Sequence, residues 1–169
     1  MTPDLQAFLE RCSPAERPAF EAVIEALDEL VTDGQGADDS RPMLAWAQSD
    51  VSLMLQLRIP QPPGKPPKFP PVLYIWPSDA DRRKKLWDSI SMSRQDLIDA
   101  RVAPDVIDRF GKRLEVADLV NDGTIGWRTR TFRDDRLDRM SSIFGNAWGP
   151  KTLAKLKEAV QGLVNDVAA

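Results

Sequence analysis

Seven prolines stand between residues 60 and 71, and they constrain the fold more than any other feature of the chain. Proline has no backbone N–H and cannot donate to a β-ladder, so this stretch cannot be a central strand. We predict an external connection that is biased to polyproline II and kinked at Gly64. The stiffness of proline also lowers the entropy that is lost when so long a loop becomes ordered.

Strand patterns flank the proline segment on both sides. Residues 51–59, VSLMLQLRI, alternate between apolar and polar side chains, which predicts a strand with one buried face. The run MLAWA at 43–47 lies close enough to form a hairpin with it, and VLYIW at 72–76 predicts a third strand. A further strand is predicted from Thr124 to Phe132, after the turn signal NDG at 121–123.

Helical patterns occupy much of the remaining sequence. Ser13, Pro14 and Glu16 form a capping box at the start of a helix that Gly34 ends. A second helix is predicted after Ser78, with Leu86, Trp87 and Ile90 on its apolar side. Two short helices are predicted next, the first beginning at the capping box of Ser93 and Asp96 and the second beginning at Pro104 and covering DVIDRF. The last two predicted helices span roughly 134–144 and run from Gly149-Pro150 through Val167.

These elements predict one α+β domain over residues 1–169, with residues 60–71 as a proline-rich external loop. We expect an antiparallel sheet of three or four strands, helices packed on one side, and more helix than strand. No apolar run approaches the roughly 20 residues of a membrane span, and no secretory signal opens the chain. Because a single cysteine cannot form an intrachain disulfide, a cytoplasmic location is expected.

The chain contains no histidine, which narrows the chemistry it can perform. Histidine is the commonest general base near neutral pH and a common metal ligand, so Cys/His zinc sites and histidine-based triads are excluded. No cofactor or metal is indicated. One enzymatic alternative stays open, a Mg²⁺-dependent, nuclease-like enzyme acting on nucleic acids through carboxylates. Its candidate residues are one of Asp38, Asp39 or Asp50, together with Gln56 and Arg58.

Charge is distributed unevenly along the chain. Residues 1–60 carry 4 basic and 11 acidic side chains, whereas residues 128–157 carry eight Arg or Lys and three Asp. Such asymmetry is typical of a surface that attracts phosphates or an acidic partner, although the interleaved Asp residues leave local salt bridges as the alternative. We therefore predict a non-enzymatic binding or accessory module that engages a protein or nucleic acid through a basic C-terminal half. The candidate residues are Trp127, Arg128, Arg130, Arg133, Arg136 and Lys151.

The proline segment is a second candidate for partner binding. PQPPGK and PGKPPK each place a cation after two spaced prolines, a pattern that aromatic grooves of SH3-type modules recognise in polyproline II ligands. The residues that would contact a partner are Pro63, Lys65, Pro66 and Lys68.

Two short stretches favour nucleic-acid binding. Residues 93–114 have the outline of a helix-turn-helix, although Asp105 and Asp108 would then face phosphates. The stretch around Gly149-Pro150-Lys151-Thr152 resembles the second half of a helix-hairpin-helix motif. That resemblance implies that backbone N–H groups at the helix start grip a phosphate backbone, but Gly145 lies four residues before Gly149 where the motif has two.

Overall fold

The structure, a computed structural model, describes residues 1–36, 38–50, 52–77, 90–120, 139–142 and 149–169, with the backbone alone at 117–120 and 139–142. Five helices and five strands lie in these ranges. The helices are α1 (Pro3–Arg11), α2 (Arg17–Gly34), α3 (Arg94–Asp99), α4 (Pro104–Val120) and α5 (Pro150–Ala168), and the strands are β1 (Met43–Gln48), β2 (Leu53–Arg58), β3 (Pro71–Ile75), β4 (Ile90–Ser93) and β5 (Arg139–Ser142).

The strands form one antiparallel sheet in the order β1-β2-β3-β4-β5. The predicted α+β class, with an antiparallel sheet and more helix than strand, is confirmed. β1, β2 and β3 lie where the sequence predicts them. β4 completes a four-stranded sheet, and the short β5 extends it by one strand.

One face of the sheet forms the core. Leu53, Leu55 and Leu57 of β2 have no exposed surface, whereas Met54, Gln56 and Arg58 between them are half-buried. The buried side chains join one core cluster with residues of α2, α4 and α5. α5 packs against both α2 and α4, and α2 packs against β1. The helices therefore cover the face that the alternation of β2 predicts to be buried.

The start of α2 reproduces half of the predicted capping box. The carboxylate of Glu16 accepts hydrogen bonds from the backbone N–H of Ser13 at 2.9 Å and from its hydroxyl at 2.6 Å. In a full capping box the serine hydroxyl would instead accept a hydrogen bond from the backbone N–H of the residue three positions on. Here the Ser13 hydroxyl donates to the Glu16 carboxylate, and the helix begins at Arg17 after a turn. The second box forms the other half of the motif, since the Ser93 hydroxyl accepts from Asp96 N at 3.2 Å and caps α3.

Three predicted elements are wrong in type or length. Ile90, predicted on the apolar side of a helix, begins strand β4, and residues 139–142, predicted to be helical, form strand β5. Both strands have four residues, too few for a period of two to stand out against a helical pattern. α4 runs to Val120, well beyond the predicted DVIDRF. The predicted strand from Thr124 to Phe132 and the residues Leu86 and Trp87 lie outside the described residues.

The last helix is confirmed, but its predicted context is not. α5 begins at Pro150, with Gly149 at the N-cap position. A helix-hairpin-helix needs a helix before this point, whereas the described residues that precede Gly149, at 139–142, form a strand. The resemblance therefore covers only the start of α5.

Candidate partner-binding surface

The proline segment is a hydrogen-bonded extension of the β2–β3 hairpin. Ile59 and Lys68 exchange backbone hydrogen bonds of 2.8 and 3.0 Å, and Leu57 N donates to Pro70 O at 2.9 Å. Proline carbonyls can accept such bonds although proline nitrogens cannot donate them. Residues 62–66 at its end are exposed, as predicted for an external connection. We call residues 59–70 the proline hairpin.

A tight turn forms the tip of the proline hairpin. Lys65 N donates to Pro62 O at 3.1 Å, and Gly64 has a φ of +87°. Proline at the second position and a positive φ at the third are the signature of a type II turn, so the kink predicted at Gly64 is confirmed. PQPPGK and PGKPPK both run through this turn. Neither pattern therefore forms one continuous polyproline II helix, and recognition of the segment by an SH3-type groove stays a prediction.

A side-chain contact fixes the proline hairpin to the end of α3. Lys68 Nζ donates to the backbone oxygen of Ala100 at 3.0 Å. This oxygen belongs to the last turn of the helix, where carbonyl groups lack helical partners and the helix dipole favours a cation. The contact therefore holds Lys68 against the α3–α4 connection.

α3 ends in a Schellman motif with an arginine in the position usually taken by glycine. Val102 N donates to Leu97 O at 3.1 Å and Arg101 N donates to Ile98 O at 2.9 Å, while Val102 and Leu97 are both buried. Arg101 has a φ of +62°, the only positive value at a non-glycine residue in the described part of the chain. The left-handed conformation costs an L-residue about 1–2 kcal/mol, so arginine is a costly choice here.

Arg101 lies beside the lysines of the proline hairpin. Lys65, Lys68 and Arg101 line a shallow concave site of about 590 Å³ together with Gln61, Pro66 and Pro67. Within the described ranges none of these three cations forms an ion pair with a carboxylate. We call Lys65, Lys68 and Arg101 the cationic surface.

Two nearby arginines are neutralised by aspartates. An adjoining cavity of about 560 Å³ extends from Lys68 and Arg101 to Arg109 and Asp166. Arg109 lies 2.9 Å from Asp105 and 3.1 Å from Asp166, and Arg113 lies 2.8 Å from Asp166. The hydrogen bond from Arg113 lowers the pKa of Asp166, and the bond to Asp166 raises the pKa of Arg109. These arginines therefore pair α4 with α5 and add little charge to the cationic surface.

This pairing predicts a pH dependence of stability. Because the pKa of Asp166 is lowered in the folded state, its contribution is present above the ordinary value of 3.8 and is lost as pH falls through the lower folded value. We expect Asp166→Asn to lower the free energy of unfolding near neutral pH, with the difference from wild type shrinking below about pH 4. Urea unfolding across this pH range measures it. A difference that is constant with pH would contradict the assignment.

The structure brings together only part of the predicted site. Pro63, Lys65, Pro66 and Lys68 all lie on the proline hairpin. Sequence reasoning missed Arg101, although an arginine between the end of a predicted short helix and Pro104 stands where a glycine is typical. The predicted residues Trp127, Arg128, Arg130, Arg133 and Arg136 lie outside the described residues.

Lys151 is not part of the cationic surface. It is exposed in the first turn of α5, whereas Asp166, which lines the adjoining cavity, lies in the last turns of the same helix. At 1.5 Å per residue the two positions are about 22 Å apart along the helix. A ligand that contacts Arg101 would have to span most of α5 to reach Lys151.

The residues of the magnesium hypothesis do not form a site in the described ranges. Among these residues no group of three or more Asp, Glu, His or Cys side chains is placed to hold a metal ion. Arg58 donates to the backbone oxygen of Asp39 at 3.0 Å, and Arg11 donates to that of Asp50 at 2.9 Å. Hydrogen bonds from Ser40 lower the pKa of the Asp38 carboxyl. The contacts of Asp39 and Asp50 thus use backbone oxygens, and of the three aspartates only Asp38 accepts one of these hydrogen bonds through its carboxylate.

A scan against protein-family models and searches of curated proteins and of solved structures find no match to this chain. In the described part of the chain no helix combines the length and the apolar character needed to cross a membrane.

Proposed function

We propose that this protein is a non-catalytic binding module whose cationic surface docks an acidic segment of a partner protein. The observation that carries the proposal is the left-handed backbone of Arg101 beside the lysines of the proline hairpin. Backbone strain of this kind concentrates at functional sites, and an unusual conformation is a reason to look for a role of the side chain. Glycine would end α3 with less backbone strain, so we infer that the guanidinium group of Arg101 has a role in binding.

The surroundings of the cations favour a protein over a nucleic acid. Phe69 on the proline hairpin is 46% exposed, and Pro62, Pro63 and Pro66 are exposed around the turn. Protein interfaces combine aromatic anchors and arginine with a polar rim. Nucleic-acid binding gains most of its affinity from the number of phosphates that are neutralised, and three cations neutralise few.

A direct binding measurement tests the proposal. The probes are a fluorescein-labelled oligoglutamate and a labelled single-stranded oligonucleotide of equal length, titrated with the protein at about 50 and 200 mM salt. We expect the oligoglutamate to bind and to weaken at the higher salt concentration. Tighter binding of the oligonucleotide would favour a nucleic-acid partner, and an absence of oligoglutamate binding at the lower salt concentration would overturn the proposal.

Arg101→Gly separates binding from folding. Glycine removes the strain of the left-handed conformation but raises the entropy of the unfolded chain, so the free energy of unfolding should stay equal or rise by up to about 1 kcal/mol. Binding of the oligoglutamate should weaken by about tenfold, the equivalent of one charge-assisted contact of about 1.4 kcal/mol. Urea unfolding and fluorescence anisotropy of the same sample measure the two effects.

Arg41→Ala is the matched control for charge. Arg41 is exposed and lies outside the lining of the 590 Å³ site, so this variant loses one positive charge while leaving the cationic surface intact. We expect its affinity for the oligoglutamate to stay close to wild type. Equal losses in the Arg41 and Arg101 variants would indicate nonspecific attraction and contradict the proposed site.

A further inference from the structure

The free edge of β1 is a second recognition feature. In the described sheet β1 is the terminal strand, paired with β2 alone. Ser49 N donates to Ser52 O at 2.9 Å at the hairpin end. Hydrogen-bonded and non-hydrogen-bonded pairs alternate in an antiparallel ladder, so alternate residues of β1, counted back from Ser49, form backbone hydrogen bonds with β2. The intervening residues of β1 direct their backbone N–H and C=O groups to the free edge instead, and these residues are Leu44, Trp46 and Gln48.

This edge lacks the features that usually protect a terminal strand. The sequence MLAWAQ contains no proline and no charged residue. Its pairing with β2 is regular from Met43 to Gln48, and the irregular step of the sheet lies instead between β2 and β3. Prolines, lysines and bulges are the common means by which soluble proteins prevent strand addition. β1 is therefore a template on which another strand can pair.

An open groove runs along the whole edge. It has a volume of about 850 Å³ and is lined by all six residues of β1, by the start of α1 and by the second half of α2. Six residues of extended chain span about 20 Å. The helices thus leave room for an added strand along the full length of β1.

The two faces of β1 differ in chemistry. Trp46 Nε1 donates to Asp28 Oδ1 at 3.0 Å, and Gln48 Nε2 donates to the backbone oxygen of Asp4 at 2.9 Å. The Asp28 carboxylate of α2 and the backbone of α1 at Asp4 therefore lie on the Trp46 face, and Asp4 also lines the groove. Because side chains alternate along the strand, the apolar side chains of Met43, Ala45 and Ala47 lie on the opposite face.

The acidic character of the groove continues beyond its end. A neighbouring depression of about 390 Å³ shares Met1, Asp28 and Thr32 with the groove and adds three carboxylates, those of Glu25, Glu29 and Asp33. Within the described ranges, cations pair with two of these carboxylates. The Met1 α-amino group lies 3.9 Å from Asp28, and Lys157 forms an ion pair with Glu29. Three exposed carboxylates line the groove and the depression without an ion pair in the described ranges, those of Asp4, Glu25 and Asp33.

We propose that the edge of β1 binds an extended basic peptide of a partner protein as an added strand. Lys or Arg at alternate positions of the peptide face the carboxylates, and apolar side chains between them pack on Met43, Ala45 and Ala47. A second copy of this chain fits less well, because self-pairing brings two acidic grooves together. The site shares no lining residue with the cationic surface and takes a ligand of opposite charge.

The probe for this site is a fluorescein-labelled peptide of alternating Lys and Val, of about eight residues to match β1. We expect it to bind and to weaken between about 50 and 200 mM salt. An otherwise identical peptide that is N-methylated at each residue whose N–H faces β1 should lose binding, whereas methylation at the intervening residues should not. Equal binding of both methylated peptides, or an absence of binding at the lower salt concentration, would overturn the proposal.

Amide hydrogen exchange locates the added strand. The N–H groups of Leu44, Trp46 and Gln48 should exchange more slowly when the Lys-Val peptide is bound, because the added strand now accepts from them. Unchanged exchange at these three amides in the complex would overturn strand addition. Protection of the same amides in the protein alone, together with a dimer in sedimentation, would overturn it in favour of self-pairing.

Charge reversal tests the carboxylates of the groove and of the neighbouring depression. The variant Asp4→Lys with Asp33→Lys should weaken binding of the Lys-Val peptide by at least about tenfold and bind a Glu-Val peptide instead. The matched control is Glu10→Lys with Glu21→Lys, which makes the same charge change on exposed positions of α1 and α2 outside both the groove and the depression. The same loss in both variants would leave only long-range attraction and contradict a defined site.

Discussion

Phe110→Ala is expected to lower the free energy of unfolding by about 3–5 kcal/mol, a large part of the stability of a domain of this size. Phe110 has no exposed surface in the middle of α4. It belongs to the core cluster that joins α4 to α5 and the sheet, and α4 packs along α5. The truncation removes the transfer free energy of the ring and leaves a cavity that the surrounding helices fill only partly.

Urea unfolding followed by circular dichroism measures this loss. Phe69→Ala is the matched control, because it deletes the same ring from the proline hairpin, where the side chain is 46% exposed. We expect the control to change the free energy of unfolding by less than about 0.5 kcal/mol. A similar cost in both variants would show that Phe110 does not have the buried environment described for it.

Glu16→Ala is expected to cost about 2–3 kcal/mol, although it removes a charged side chain. Glu16 is 1% exposed, and its carboxylate accepts two hydrogen bonds from Ser13. At the same junction Arg17 donates to the backbone oxygens of Leu9 and Cys12, both at 3.0 Å. Without the carboxylate, two donors of half-buried Ser13 lose their acceptor at a point where α1 and α2 meet, and a donor that is left unsatisfied away from water is costly.

Glu16→Gln separates the hydrogen bonds from the charge. Glutamine keeps one side-chain oxygen that can accept from Ser13, so this variant should lose less than half as much as Glu16→Ala. Chemical unfolding of the three proteins at neutral pH gives the comparison. If the alanine and glutamine variants lose the same stability, the oxygen is not the group that matters, and the bonds to Ser13 do not hold the junction.

Most elements with a strong local signal could be predicted. The alternation of Leu53, Leu55 and Leu57 fixes β2 and its buried face, because successive side chains of a strand point to opposite sides. The serines at positions 13 and 93 both cap or border a helix as their spacing to an acidic residue predicts. The four-residue strands β4 and β5 were missed, since their pairing with neighbouring strands supplies the order that their own sequences do not specify.

The cationic surface could be predicted only in part. Lys65 and Lys68 were found because they stand among prolines that must lie outside the sheet. Arg101 was missed because its importance comes from a positive φ and from its place beside the proline hairpin, and the sequence states neither. The edge of β1 was likewise invisible, since MLAWA predicts a strand but not which strand of the sheet is terminal.

The sequence by itself determined what depends on local backbone chemistry. The prolines excluded a central strand, the periodic apolar residues set the main helices and strands, and the lack of histidine removed whole classes of sites. Only the tertiary structure decided which distant residues meet, such as Lys68 with Ala100, 32 positions away, and which arginines are neutralised by Asp166. Periodicity and backbone restriction act between near neighbours in the chain, whereas proximity across the chain depends on how the elements pack to bury the core.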